Sequence, residues 1–471
     1  YMVRSNFYSH IMIFPRLPFS VVDSINTIPS SVTETTTFLE ENIDISDFPE
    51  VFSHDFQKNG SYITYRNAHK YIFTHLTYVN QDEMTRWIGS VGKKVVYDLS
   101  YIHSENRANL LLRLGWALYS FDYFRSDRST KDIPIVLLTS DSWEIQDTLI
   151  KIKALTLARD FVNLPPNAKS PKQFRTMIEN LPWKNTDVQS YNDGQLRDVW
   201  YGLITAVAAG CIEGAQALVL RSKNSKQIDQ VFVGKWVIFD AGGLQIKSDT
   251  GMLDMKCDMS GAASVIATLW YLDASEISHN FAWVVGIVDN LTGPNAFKPL
   301  DIYKAKNGMS VEIHHTDAEG RLVLADMMCL AIDELSPKKI LTIATLTWAC
   351  VVALGSRYSG IMGSDEETID TLLHPKSSFV LERYWRLPYD EYYREKTKAT
   401  IADLKNVTSG VKTGSTMGAA FLSNFCSDLP YTHIDIAWPA YLESPLDVFW
   451  AGATGAGVEA LIHLATNRNH D

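Results

Sequence analysis

VFVGKWVIFD, at residues 231–240, is an almost unbroken apolar run that ends in an aspartate, and FAWVVGIV at 281–288 and KILTIATLT at 339–347 repeat the pattern. Strands that are apolar on both faces are typical of a sheet covered by helices on both sides. Segments with helical spacing separate the runs, and helices are expected to begin at Met259 and Arg321. This alternation predicts an α/β fold whose central sheet is mixed and largely parallel.

A weaker form of the same alternation precedes these runs and indicates a second, smaller domain. An amphipathic pattern extends from Trp143 to Asn163 and stops at Pro165, which predicts a long connecting helix. Ser170 and the proline after it have the features of a new helix start. We therefore expect three parts, namely a smaller N-terminal α/β domain at residues 1–142, a connecting helix and linker at 143–167, and a larger C-terminal α/β domain at 168–471.

The overall charge argues against two classes of partner. The 471 residues include 43 basic and 54 acidic side chains, a formal net charge of −11, and no long basic cluster. Nucleic acids and anionic membranes attract basic surfaces, so we expect neither as a partner. The longest apolar stretch, 341–355, is shorter than the roughly 20 residues that span a bilayer, so we expect no membrane insertion.

Two features bear on the cellular compartment. The five cysteines are scattered without CxxC spacing, which favours free, mostly buried thiols in a reducing compartment. Residues 1–22 are basic and free of acidic side chains, which is typical either of a transit peptide or of a first strand. We therefore expect a cytoplasmic protein, with a mitochondrial protein as the alternative.

Two segments concentrate charged side chains near the ends of predicted strands. Lys235 stands inside an apolar strand, where burial is costly unless the amine is neutral or paired. Carboxylates that gather near it repel one another unless cations lie among them. Oxygen ligands with one amine therefore indicate a site for two divalent metal ions about 3.5–4 Å apart, which activate water and polarise a carbonyl. The residues concerned are Lys235, Asp240, Lys247 and Asp258 in residues 233–263, and Asp317, Glu319 and Arg321 in residues 314–326.

Each of these features has a simpler interpretation when it is taken alone. The sequence DAGG at 240–243 is typical of a turn. Lys247 and Arg321 also fit surface ion pairs. His314 and His315 are neighbours on a predicted strand, so their side chains point to opposite faces and are not expected to share a metal ion. The metal-site interpretation therefore depends on all of the charged residues occurring together.

The two segments resemble the leucyl aminopeptidase family, the hexameric dimetal cytosol aminopeptidases. TDAEGRLVLAD at 316–326 reproduces the family signature without a change, and residues 233–263 match its spacing throughout. The resemblance extends from about residue 150 to the C-terminus. Other stretches that carry it are ARDFVNLPPN at 158–167, ATLTWACVVALG at 344–355, ERYWRLP at 382–388, ADLKNV at 402–407, HIDIAW at 433–438 and GATGAGV at 452–458.

The resemblance implies a homohexameric enzyme that removes N-terminal amino acids from peptides with two divalent metal ions per chain. Zinc or manganese is expected, with magnesium or cobalt as alternatives. One ion would also take the free α-amine of the substrate, which explains exopeptidase action. The implied metal ligands are Lys235, Asp240, Asp258, Asp317 and Glu319, and the implied substrate pocket contains Met255, Thr345, Leu346, Trp348, Ala437 and Trp438.

The resemblance also assigns roles to two cationic side chains. Lys247 would polarise the scissile carbonyl and stabilise the gem-diolate. Arg321 would hold a bicarbonate ion that shuttles the proton.

Three tryptophans stand where members of the family commonly have glycine. Trp236 is expected to point away from the face used by Lys235 and to pack beneath the sheet. Trp348 and Trp438 fall at the substrate cleft, and one indole buries about 150–250 Å². Either the two indoles fill the pocket and leave a catalytically attenuated scaffold in a larger assembly, or the pocket is reshaped for a different class of side chain.

Overall fold

The computed structural model describes residues 20–22, 34–39, 61–66, 69–75, 95–98, 104–126, 135–137, 143–374, 379, 382–446, 449 and 451–466. The chain divides into two compact units. The smaller unit comprises residues 15–156 and 443–451, and the larger unit comprises residues 157–442 and the segment from Gly452 onward. The domain limits drawn from the sequence stay a prediction. Residues 1–22, considered as a transit peptide or first strand, lie outside the described residues except for a short strand at Ser20–Val22.

The smaller unit is an α/β layer. Its six described strands form one sheet in which all neighbouring pairs are parallel except the pair formed by Ser61–Arg66 and His69–His75. In chain order the elements are β1 (Ser20–Val22), β2 (Glu34–Leu39), β3 (Ser61–Arg66), β4 (His69–His75), β5 (Val95–Asp98), α1 (Ser104–Ala117) and β6 (Ile135–Leu137), and the sheet order is β1-β6-β5-β2-β4-β3. Helix α2, Trp143–Asn163, has the bounds expected from the sequence, and its last residues belong to the larger unit.

The larger unit is built on an eight-stranded mixed sheet. The described strands of this unit are β7 (Thr186–Asn192), β8 (Gln216–Ser222), β9 (Gln230–Asp240), β10 (Phe281–Asn290), β11 (Ile302–Lys304), β12 (Ser310–Glu312), β13 (Lys339–Ala344), β14 (Ser359–Gly363), β15 (Tyr384–Arg386), β16 (Leu404–Lys405), β17 (Tyr431–Asp435), β18 (Tyr441–Leu442) and β19 (Gly452–Ala453). Strands β11, β12 and β16 form a separate small sheet, β18 pairs with β19, and the other eight form the large sheet. Its helices are α3 (Pro171–Glu179), α4 (Asp193–Asp198), α5 (Gly202–Val207), α6 (Asp249–Met252), α7 (Ser260–Ala274), α8 (Gly320–Leu335), α9 (Trp348–Leu354), α10 (Glu366–Leu373), α11 (Glu391–Glu395), α12 (Gly414–Leu422) and α13 (Val458–Thr466).

The order of the large sheet is β15-β14-β17-β13-β9-β10-β8-β7. Its four central strands, β17, β13, β9 and β10, are parallel to one another, while β14 is antiparallel to β17, β8 is antiparallel to β10, and β7 is antiparallel to β8. The predicted α/β fold with a mixed, largely parallel sheet is confirmed. The carboxyl ends of the central strands meet at one edge, where function collects in such sheets.

Trp236 packs beneath this sheet, as expected. Its side chain is fully buried, and its ring centroid lies 4.6 Å from that of Phe174 and 5.9 Å from that of Phe161. The Ser170 side chain accepts a hydrogen bond from the Gln173 amide and begins α3, as the sequence indicated. No helix in the described part of the chain is both long and apolar enough to cross a bilayer.

The histidine pair does not lie on a strand. Strand β12 ends at Glu312, and the amides of His314 and His315 donate instead to the Asn406 side-chain oxygen, at 2.8 and 3.2 Å. These amides bond to a side chain, so the argument from strand alternation does not apply to the pair.

Two glycines bring helix α7 directly onto the sheet. A Cβ added at Gly261 would overlap the carbonyl oxygen of Ile343 on β13, and one added at Gly234 on β9 would lie 2.5 Å from Ala262 Cα. Such close approach requires residues without side chains. The close approach of α7 to the sheet brings the residues just before α7, including Asp258, to the carboxyl edge of the sheet.

We predict that Gly261→Ala destabilises the chain because its methyl group would force α7 away from β13. Overpacking of a buried contact costs about 1–3 kcal/mol, which exceeds the roughly 1 kcal/mol gained from helix propensity. The measurement is urea unfolding. Gly194→Ala on α4 is the matched control, because its Cβ meets only the Asn192 side-chain oxygen, at 3.3 Å. Equal stability of Gly261→Ala and wild type would contradict the close approach.

A buried carboxyl group joins β15 to the start of α13. Glu382 accepts hydrogen bonds from the amides of Glu459 and Ala460, at 3.1 and 3.0 Å, and from the Tyr384 hydroxyl. Burial and the nearby Glu459 carboxylate raise the pKa of Glu382 from 4.5 to about 8. Between these two values the folded chain keeps a proton that the unfolded chain has lost, so the free energy of unfolding falls as the pH rises.

We predict that Glu459→Gln weakens this pH dependence, because it removes the neighbouring negative charge. The fall in the free energy of unfolding from about pH 5 to about pH 8 should be smaller than in wild type. Glu391→Gln, at a side chain that is 68% exposed, is the control and should leave the fall unchanged. An undiminished fall in Glu459→Gln would show that the two carboxyl groups do not interact.

Candidate metal centre and active site

The centre of the site is a buried lysine. Lys235 lies within β9 and is 3% exposed. Its amine is 2.6 Å from Asp258 Oδ1 and 3.1 Å from Glu319 Oε1, and it donates to the Thr345 carbonyl oxygen at 3.1 Å. Burial favours the neutral amine, but the carboxylates of Asp258 and Glu319 outweigh it and hold the pKa of Lys235 above its ordinary value. The expected pairing of this buried cation is therefore present.

A second lysine joins the other carboxylates. Lys247 lies 2.8 Å from Asp240 Oδ2 and 2.5 Å from Asp317 Oδ1, and its side chain is 16% exposed. Asp240, Asp317 and Glu319 offer oxygen atoms that all lie within 4.8 Å of one another. The structure thus brings together two lysines and four carboxylates from four separate segments of the chain, namely Lys235, Asp240, Lys247, Asp258, Asp317 and Glu319.

The carboxylates of this cluster respond differently to burial. Burial and the Glu319 charge raise the pKa of Asp240 to about 6, and burial raises that of Asp258 well above its ordinary value. For Glu319, the charges of Lys235 and Lys247 overcome burial and lower the pKa. Such opposed shifts within one cleft are typical of functional sites.

Asn290 is a member of the site that the sequence did not indicate. It is fully buried at the end of β10, and its amide donates to Asp240 Oδ1 at 2.8 Å and to Glu319 Oε2 at 3.3 Å. It thereby connects the two segments that carry these carboxylates. The sequence feature that could have indicated Asn290 is its place as a polar residue at the end of an apolar strand, at the carboxyl edge of the sheet.

The turn after β9 directs the chain back toward the carboxylates. Gly242 and Gly243 have φ values of +89° and +68°, which side chains disfavour. The Gly242 amide donates to Asp240 Oδ1 at 2.9 Å, and the Lys247 amide donates to the Ala241 carbonyl oxygen. The DAGG sequence is therefore a turn, and it also orients Asp240 and returns Lys247.

Arg321 lies in the first turn of α8, next to the cluster. It is 8% exposed, and its Nη1 donates to the Asn406 carbonyl oxygen at 2.7 Å. Its Nε has no hydrogen-bond partner among the described residues. Burial lowers the pKa of Arg321 to about 10, so the group stays cationic at neutral pH.

The six predicted pocket residues occupy three segments. Thr345 contacts the cluster directly, because its hydroxyl donates to Asp258 Oδ1 at 2.8 Å. Trp348 is 67% exposed, and its ring meets that of Trp438 edge to face with centroids 5.5 Å apart. The half-buried Met255 belongs to the turn that precedes Asp258. Leu346 lies two residues before Trp348, and Ala437 directly precedes Trp438.

Comparison with known proteins agrees with this geometry. A sequence model described as the cytosol aminopeptidase family, catalytic domain, matches residues 156–462. The chain belongs to the cytosol aminopeptidase family. The matched residues include the whole carboxylate cluster, so the buried ion pairs lie within the catalytic domain of this family.

Individual relatives cover most of the chain. A probable cytosol aminopeptidase from Rhizobium etli (strain CFN 42) is 34% identical over 385 residues, covering 79% of this chain and 77% of that protein. One from Agrobacterium fabrum (strain C58) is 34% identical over 383 residues, covering 79% and 76%. The solved structure of the bottromycin maturation enzyme BotP in complex with Mn is 25% identical, with a TM-score of 0.78, and covers 92% of this chain and 98% of that chain.

We predict that Gly320→Ala disrupts the cluster in this cytosol aminopeptidase family member. A Cβ at Gly320 would lie 2.5 Å from Lys235 Cε and 2.6 Å from its Nζ, so it would displace the amine from its carboxylates. Removing one partner of a buried ion pair costs about 3–5 kcal/mol, and this is the upper limit for Gly320→Ala because the lysine side chain is displaced rather than removed. Urea unfolding should show this loss, and elemental analysis should show less bound divalent metal. Gly194→Ala is again the control, and wild-type values for Gly320→Ala in both measurements would contradict the proposed crowding.

Proposed function

We propose that the chain is a metal-dependent aminopeptidase that releases N-terminal amino acids from peptides. The observation that carries the proposal is the largely buried cluster of Lys235, Asp240, Asp258, Asp317 and Glu319 at the carboxyl edge of the sheet. Lys247 stands beside it with part of its side chain exposed. Membership of the cytosol aminopeptidase family supports the same activity.

The cluster fits two divalent metal ions by its chemistry. Oxygen atoms of three carboxylates converge within 4.8 Å, and Asp258 Oδ2 is a buried acceptor without a hydrogen-bond partner among the described residues. We propose Lys235, Asp240, Asp258, Asp317 and Glu319 as the residues that would hold the ions. When bound, two such ions polarise the scissile carbonyl, activate a water molecule and take the free α-amine of the peptide.

Lys247 is proposed as the catalytic cation. The charges of Asp240 and Glu319 overcome burial and keep the pKa of Lys247 above its ordinary value, so the ammonium form persists at neutral pH. A fixed ammonium at the edge of the cluster donates a hydrogen bond to the oxygen on which negative charge develops. Preorganised donors of this kind need no reorientation during the reaction.

Arg321 is proposed as an anion holder. A buried guanidinium that keeps its charge and has an unused Nε fits a small planar anion with oxygen acceptors, such as bicarbonate. Held beside the cluster, bicarbonate would accept a proton from water and return it to the leaving amine. The residue would then act through the anion rather than on the peptide itself.

The identity of the metal, the oligomeric state and the cellular location are further proposals. The Mn complex of the related BotP structure supports manganese, and zinc, magnesium and cobalt are alternatives. A homohexamer is proposed from family resemblance. The cytoplasmic location is supported by the names of the curated relatives.

The alternative function, a scaffold whose pocket is filled by indoles, has less support. Filling the pocket requires that Trp348 and Trp438 be buried in it, whereas Trp348 is 67% exposed. We therefore propose the enzyme. The scaffold would be supported if the chain bound two metal ions but cleaved no substrate.

We predict that purified chain supplied with Mn²⁺ or Zn²⁺ hydrolyses aminoacyl amides and dipeptides, and that chelation abolishes this activity. Lys247→Ala should lower kcat by about 10²–10³-fold, the usual loss for one donor to a developing oxyanion. Lys298→Ala, a change at a side chain that is 63% exposed, is the control and should keep full activity. Undiminished turnover by Lys247→Ala with a normal metal content would refute the role of Lys247.

A further inference from the structure

A buried carboxylate that the proposed reaction does not use lies close to the active site. Asp435 is the last residue of β17 and is fully buried. Its Oδ1 accepts hydrogen bonds from the amides of Leu346 and Ala437, at 3.1 and 3.3 Å. Its Oδ2 accepts from the Thr347 hydroxyl at 2.7 Å. Three donors from two separate loops therefore converge on one side chain.

The hydrogen bonds to Asp435 lie just beyond the point where the pairing of β13 with β17 ends. Ala344 of β13 is paired with Asp435 of β17, and the last backbone bond between the two segments runs from the Ile436 amide to the Ala344 carbonyl oxygen at 2.9 Å. Beyond this point the two segments have no ladder to hold them together. The Asp435 carboxylate takes over this role, since it bonds to both.

The same contacts begin helix α9. The Thr347 side chain caps the helix by accepting from the Cys350 amide at 3.3 Å, while its hydroxyl donates to Asp435. Ser415 on α12 donates to Thr347 Oγ1 at 2.6 Å. Because Trp348 is the first residue of α9, the position of its backbone depends on this network.

The two segments held by Asp435 carry the two tryptophans at the cleft. Trp348 follows the bonded residues Leu346 and Thr347, and Trp438 follows the bonded residue Ala437. Their indoles meet edge to face, with ring centroids 5.5 Å apart. Such contacts depend on the spacing and angle of the two rings.

We infer that Asp435 is a positioning residue that holds the 345–347 and 436–438 loops together and thereby sets the Trp348–Trp438 pair that shapes the substrate cleft. The inference rests on the proposed aminopeptidase function for its effect on substrates. Asp435 acts through the loops and does not touch the peptide. Its loss changes which N-terminal side chains fit. Thr345 does not bond to Asp435, and its own bonds to Lys235 and Asp258 keep the start of the loop at the cluster, so the proposed metal-binding residues stay in place.

A competing route passes through charge rather than position. The Asp435 carboxylate opposes the lowering of the Arg321 pKa that burial causes, so its removal also alters the environment of that guanidinium. Asp435→Asn separates the two routes. The amide oxygen still accepts from Leu346 and Ala437, and the amide nitrogen can donate to Thr347 Oγ1, but the charge is gone.

The experiment compares Asp435→Ala, Asp435→Asn and wild type in two measurements. Steady-state kinetics on leucine amide and alanine amide should show that Asp435→Ala raises KM more than it lowers kcat, and that it changes the ratio of the two kcat/KM values by about fivefold or more. Asp435→Asn should stay close to wild type. Amide hydrogen exchange should be faster at 345–348 and 436–438 in Asp435→Ala only.

A milder pair of variants covers the case in which Asp435→Ala does not fold. Thr347→Val removes the hydroxyl bond to Asp435, together with the bonds of Thr347 Oγ1 to Ser415 and to the Cys350 amide, and it leaves both backbone bonds to Asp435 in place. It should shift the substrate ratio and the exchange in the same direction. Thr342→Val is the matched control, because this buried hydroxyl contacts Tyr431 and His433 instead, at 3.1 and 2.8 Å. It should change neither measurement.

Several outcomes would overturn the inference. Equal losses with Asp435→Ala and Asp435→Asn would assign the effect to charge, and an unchanged substrate ratio would leave only a general structural role. Loss of bound metal in Asp435→Ala would place its action at the cluster. If wild type cleaves no peptide, the proposed function fails, and unchanged exchange in the variants would still refute the positioning role on its own.

Discussion

The ion pair of Lys235 with Asp258 and Glu319 is the interaction on which the rest of the larger unit depends. A cation on a central strand is tolerated only because its two carboxylates lie within 2.6 and 3.1 Å of the amine. Asp258 reaches it because Gly234 and Gly261 let helix α7 approach the sheet backbone. Glu319 reaches it because Gly320 leaves room for the lysine side chain. The two contacts of Lys235 thus depend on three glycines. At each of them a side chain would collide with a neighbouring group, namely Ala262 at Gly234, the Ile343 carbonyl at Gly261 and the Lys235 side chain at Gly320.

The electrostatic arrangement around this pair supports the proposed site for divalent cations. Four carboxylates and two ammonium groups lie together at the end of the parallel strands, and Asn290 donates to two of the carboxylates. Local positive charge from the lysines offsets the repulsion among the carboxylates. Oxygen atoms of Asp240, Asp317 and Glu319 lie within 4.8 Å of one another, and the Gly242 amide and the Asn290 side chain donate to Asp240 Oδ1 and help to orient it.

The sequence predicted those parts of the molecule that depend on local pattern and on extended motifs. The apolar runs at β9, β10 and β13, the long helix α2 and the Ser170 cap all follow from spacing and side-chain type. Contacts between distant segments were harder to predict. Asn290 and Asp435 end apolar strands with ordinary polar side chains, and only the sheet order brings them beside their partners. The strand expected at His314 and His315 was wrong because Asn406, far away in sequence, supplies the acceptor that a neighbouring strand would otherwise provide.

The order of strands in the large sheet has a consequence for how the chain is made. Strand β17 pairs with β13 although almost a hundred residues separate them in sequence, and Asp435 can hold the 345–347 loop only after β17 has been synthesised. When a nascent chain has emerged from the ribosome as far as Glu319 and β13, it still lacks β17, which pairs with one edge of β13. The cleft is therefore completed only after residue 435 has emerged, and a shorter nascent chain leaves the backbone groups along this edge of β13 unpaired, a state that favours association with other chains.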